Sequence, residues 1–133
     1  MATNGTPHEG TDNILIDAYT GLQIILYTNA FGSLSRDTVL ADLAQPSALD
    51  DASLDNGYGF ISLTGVWSST LSVITYPDNV LFTNSGTLGS WDTARGSAIT
   101  DGTFVLHFAD FDTQVALPLG ASLEIDISSV VNP

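Results

Sequence analysis

Residues 122–128 read SLEIDIS, with Leu123, Ile125 and Ile127 alternating with Glu124, Asp126 and Ser128. A period of two separates apolar from polar side chains only on an extended chain, because successive strand side chains point to opposite faces. A one-residue slip would bury two carboxylates, so the segment predicts a strand with one solvated face. TLSVITY (70–76) repeats the period, with Leu71, Val73 and Thr75 on one side and Ser72, Ile74 and Tyr76 on the other. LQIILYT (22–28) is too short for a stand-alone helix and rich in strand formers, which predicts a buried strand. Ile14–Asp17, NVLFT (79–83), TFVLHFA (103–109) and TQVALPL (113–119) are further candidates, the last two separated by an acidic bend at Asp110–Asp112. Pro118 with Gly120 marks the turn into the last strand.

Eight or nine short strands at this spacing predict an all-β fold, an antiparallel, jelly-roll-like β-sandwich of about eight strands. It spans residues 13–133 as one domain. Residues 1–12 are small, polar and without periodicity, and predict a flexible N-terminal arm. One short helical segment is expected. Ser35 caps it, Val39, Leu40 and Leu43 share a face, and Pro46 stops it. Laid over an open end of the sandwich, it would bury those three side chains and explain the long crossing after the first strong strand.

Composition narrows the class of function. Of 133 residues, 44% are apolar and 13% charged, which is a globular balance and not that of a disordered chain. The Met1 start and proline end lead to the expectation of a whole gene product, and MATNGTPHEG lacks the basic and apolar regions of a signal peptide, so no export signal of the usual kind is expected. Cysteine is absent, which removes disulfides, thiolate catalysis and Cys-based zinc sites. Lysine is absent too. Arg36 and Arg95 alone oppose fifteen acidic residues, for a formal charge of −13. Such a surface repels phosphate backbones and anionic membranes, so neither nucleic acid nor membrane is expected as a partner. It suits solubility in a salty medium or attraction to a basic protein.

The residues that carry chemistry form no recognisable set. Asp50–Asp55 resembles a calcium loop, but counting from Asp51 an EF-hand would need glycine where Asn56 stands and glutamate where Ser62 stands. A solvated acidic loop is the plainer reading. His8 lies in the arm. His107 shares a strand face with Val105, opposite Phe104, Leu106 and Phe108, and is expected to face a sheet surface or a neighbouring subunit. Glu9 and Glu124 fall in the arm and on an outward strand face, so they mark no glycosidase-type pair. No catalytic, cofactor-binding or metal residues are assigned. Trp67 and Trp91 stand between turn residues, as rim-of-core side chains or as interface anchors. Trp91 with Arg95 four residues on makes the stronger interface candidate, together with Thr6, Pro7 and His8 of the arm.

Tyr27-Thr28-Asn29, the TVLADL run Thr38–Leu43, Gly57-Tyr58, Trp67, Phe82-Thr83-Asn84, and Gly120 with Leu123 follow one another over roughly residues 24–128. That order resembles small virion structural proteins of tailed bacteriophages, cyanophages among them. The resemblance implies a β-sandwich subunit of the particle. For a short acidic chain it favours a non-enzymatic capsid decoration or cement protein on the capsid exterior, assembled in the host cytoplasm. The expected partners are the major capsid protein and neighbouring copies of the chain, with no cofactor. A tail, baseplate or fibre component is the alternative within the same particle. A receptor- or carbohydrate-binding sandwich using Trp67 or Tyr76 is the alternative outside it, and a hydrolase comes last.

Overall fold

A computed structural model describes residues 21–46, 58–71, 73–87 and 89–127, and the backbone of 130–131. The expected strand Ile14–Asp17 and the arm, residues 1–12, lie outside the described residues. The fold is all-β. Nine strands are described: β1 Leu22–Tyr27, β2 Ile61–Leu63, β3 Ser68–Thr70, β4 Val73–Thr75, β5 Val80–Thr83, β6 Ala94–Thr100, β7 Val105–Val115, β8 Ser122–Ile125 and β9 Val130–Val131. They form a four-stranded sheet in the order β2-β1-β6-β7, a three-stranded sheet β3-β4-β9 and a pair β5-β8, with every pairing antiparallel.

The four-stranded sheet is one layer of a sandwich, and the two smaller sheets make the other. Leu22, Ile24 and Leu26 of β1 meet Ile74, Val80, Phe82 and Ile125 of the facing layer in the main core, with Trp67, Tyr76 and Trp91. The alternation holds over residues 122–127: Ile125 and Ile127 are buried, Leu123 packs against the core, and Glu124 and Asp126 are exposed. The opposite face of the same sheet, with Ile25, Tyr27 and Ala98, is covered by the crossing after β1, through Leu34, Leu40 and Leu43.

The crossing therefore covers a sheet face and not an open end. Its helical part shrinks to a 3-10 turn, Leu40–Asp42. Ser35 closes a separate turn, accepting the Asp37 N–H. At three residues per turn, positions i, i+1 and i+4 no longer share a face. Leu43 is buried and Leu40 partly so, but Val39, expected inside, is 57% exposed.

Three other expectations are corrected. TLSVITY is not one strand: Thr70 pairs with Val73 across a two-residue turn whose first residue, Leu71, has φ +51°. No Gly, Asn or Asp marks that turn, the residues that usually supply such a backbone. TFVLHFA and TQVALPL run together as the eleven-residue β7, whose strand continues through Asp110–Asp112 with a register irregularity against β6 between Asp110 and Val115. The expected faces of β7 are broken by a register shift, in which His107 lies opposite Ile99 and Val105 opposite Thr100. Val105 thereby joins Phe108 in the second cluster, while Phe104 and Leu106 are exposed.

Candidate functional site

An open groove runs along β7. This strand pairs with β6 on one side only among the described residues, which makes it the edge of the large sheet. A groove of about 410 Å³ separates it from β8, the edge of the two-stranded sheet. Its walls include Ala109, Asp110, Phe111 and Asp112 of β7, and Leu123 to Ile127 at and beyond β8, over a floor that includes Ile99. A second hollow, about 260 Å³, lies between Val105–Phe108 of β7 and the turn carrying Ser35, Arg36 and Thr38. The two meet at His107. Burial holds the His107 imidazole below its usual pKa and so favours its neutral form.

Behind the groove, β7 is fastened to β1 and to the crossing. The Tyr27 hydroxyl donates to Asp110 Oδ1 (2.6 Å), and the Gly32 N–H donates to Asp110 Oδ2 (2.9 Å). Burial, then the hydrogen bond to Asp110 and its charge, push the Tyr27 phenol well above its ordinary range. β6 passes between these two strands and must leave room for the ring. A Cβ on Gly96 would stand 2.1 Å from Cζ of Tyr27. Beside it, Arg95 sits at a register irregularity and donates from Nη1 to Thr28 O (2.6 Å).

Of the expected interface residues, Thr6, Pro7 and His8 lie outside the described residues, as does the acidic loop Asp50–Asp55. Trp91 and Arg95 do not stand together at the surface. Trp91 is 6% exposed within the main core, edge-on to Tyr58 at 5.3 Å, while Arg95 is half-buried and engaged with the crossing. Trp67 and Tyr76 are also core residues, with ring centroids 4.7 Å apart. A sugar-facing role for either would require the core to open. Among the described residues no three His, Asp or Glu side chains form a group able to hold a metal.

Two residues carry more than the sequence indicated. Asn84 is 1% exposed; its Nδ2 donates to Gly89 O and Leu117 O, and its Oδ1 accepts the Gly86 N–H. Asp110, read as part of a bend, holds Tyr27 and Gly32 instead. The recurrence of aromatic-Thr-Asn was the available signal for the first. In both copies the aromatic is buried at a strand end, and the asparagine ties a loop, Asn29 donating to Asp42 O and accepting from the Ala44 N–H. Comparison of the chain with family models, with curated proteins and with solved structures found no match.

Proposed function

We propose that this chain is a structural subunit of a tailed-bacteriophage particle, bound to the capsid exterior as a decoration protein. The observation that carries this reading is the amount of apolar side chain left outside a well-filled sandwich. Val66 is 86% exposed, Leu71 66% and Phe104 65%, and six more large apolar residues are exposed among the described residues. One such residue is ordinary on any protein. Nine such residues offer apolar area for a neighbour to cover, each buried Å² contributing about 25 cal/mol. The charge of −13 fits the same role, since it steers the subunit toward basic patches on a shell and keeps finished particles apart. The choice of a phage particle as the assembly rests on the resemblance of the motif order to small virion proteins.

The test is to add purified protein to undecorated capsids of the virus that carries the gene, then to measure occupancy and capsid thermal stability. Saturable occupancy at many copies per particle, with a raised melting temperature, is expected. Binding to tail fractions alone would move the subunit to the tail, and binding to neither would overturn the reading.

A further inference from the structure

We propose that the edge of β7 receives an extended, cationic segment of a different protein as an added strand, seated between β7 and β8. This deepens the assembly reading and rests on it, the segment being one offered by the shell.

Which residues line the groove reveals what shape fits it. A cavity over the face of a sheet is lined by every second residue of a strand, because alternate side chains point away. Here alternate residues, Ser97, Ile99 and His107, make the floor, but the rims are consecutive, 109 to 112 on one wall and 123 to 127 on the other. Consecutive residues along a rim fit walls that are strand edges, where backbone N–H and C=O groups are presented. Both walls belong to strands with a partner on one side only among the described residues. From Val105 to Asp112 the edge runs roughly 26 Å at about 3.3 Å per residue. An added strand is the ligand that such a slot matches, with main-chain hydrogen bonds for affinity and alternate side chains for selectivity.

The chemistry of the walls selects the occupant. Asp112, Glu124 and Asp126 border the groove, and no lysine or arginine does. Ile99, Phe111 and Ile125 supply apolar contacts beneath. A segment alternating apolar residues with Lys or Arg complements both. A second copy of this chain cannot provide it. The chain has no lysine; Arg95 is engaged with Thr28 O, and Arg36 lies at the hollow on the other side of His107. Two copies approaching edge to edge would also bring carboxylates together. The same acidic residues thus protect an exposed edge from self-pairing and favour a basic partner.

The experiment titrates full-length protein with labelled (Lys-Val)5, (Lys-Ser)5 and (Glu-Val)5 peptides, reading fluorescence anisotropy. Saturable binding of the Lys-Val peptide is expected, with the other two at least about tenfold weaker. Ala109→Trp fills the groove from an exposed position, and Asp112→Lys reverses one wall. Each should weaken the Lys-Val peptide about tenfold, with an unchanged melting temperature showing that the fold is intact. Equal affinity for the Lys-Val and Lys-Ser peptides, or an unaffected Ala109→Trp variant, would reduce the binding to bulk charge and overturn the proposal. The capsid assay separates the two readings. Wild-type occupancy by Ala109→Trp would reject the groove while leaving decoration standing. Peptide binding without capsid binding would keep the groove and reject the shell as its partner.

Discussion

The two faces of the four-stranded sheet are closed in different ways. Toward the smaller sheets, fifteen buried residues form one core that includes Trp67, Trp91, Phe82 and Tyr76. Toward the crossing, four do: Ile25, Tyr27, Leu43 and Ala98. A strand layer satisfies its own backbone and is free to contribute area. An irregular chain must find partners for its N–H and C=O groups. The crossing finds them in specific ties: Thr28 N–H to Ala44 O (2.7 Å), Asn29 to Asp42 and Ala44, Arg95 to Thr28, and Gly32 to Asp110. One face is held mostly by buried area, the other by few apolar contacts and many directed polar ones.

Truncating one large side chain on each side tests that contrast most strongly. Phe82, 2% exposed and stacked on Tyr58, should cost about 3–5 kcal/mol as Phe82→Ala. Leu43→Ala, in the smaller cluster, should cost about 2 kcal/mol, the low end for a buried leucine. Urea denaturation measures both, and a Leu43 cost equal to that of Phe82 would break the distinction.

The glycines sharpen it. A Cβ at Gly96 meets the Tyr27 ring at 2.1 Å and the backbone oxygen of Ala109 at 2.6 Å. On the other side, a Cβ at Gly65 meets Tyr76 and Pro77 side-chain atoms at 2.9 Å. The nearer obstacle, part of it backbone, leaves less room for adjustment. Gly96→Ala should therefore destabilise by about 1–3 kcal/mol, and Gly65→Ala by less. The reverse order in thermal melts would show that the crossing yields where it is expected to be rigid.

These regions differ in legibility for related reasons. Residues 122–128 announce themselves because one face meets solvent and the other the core, so the sequence carries the period. β6, the sequence ARGSAIT, shows no such period, and residues 96–100 are all buried. Its small residues answer to the neighbouring ring of Tyr27, a constraint set by β1 about seventy positions earlier in the chain. Trp91, between turn residues, read as a rim-of-core side chain or an interface anchor, and the sequence did not decide between them. Its N–H is bonded to Leu117 O, so the chain runs beside the β7–β8 connection and the indole turns inward. The groove was invisible for a further reason. It exists because β7 and β8, in different sheets, each have a partner on one side only among the described residues, and no local pattern states which edges remain unpaired.

The smallest effect expected concerns the polar tie between Tyr27 and Asp110, and it separates hydrogen bonding from area on the crossing side. Tyr27→Phe keeps the ring and removes the donor to Asp110 Oδ1, while the Gly32 N–H still reaches Oδ2. A loss of about 1 kcal/mol at neutral pH is expected, the ordinary worth of one hydrogen bond. Its pH dependence reports the raised pKa, to which burial contributes most and the Asp110 hydrogen bond and charge next. The folded-state pKa of Tyr27 lies above the unfolded value near 10, so its stabilisation is complete below about pH 10. It is lost as pH rises beyond that point, because the unfolded chain releases a proton that the folded one retains. Tyr58, pushed up to about 12 chiefly by burial, adds a similar decline to both proteins and cancels in their difference. The stability curves of wild type and Tyr27→Phe should therefore converge above pH 10. Curves that stay parallel would mean that the Tyr27 phenol gives up its proton as readily in the folded as in the unfolded chain, so that neither burial nor Asp110 acts on it.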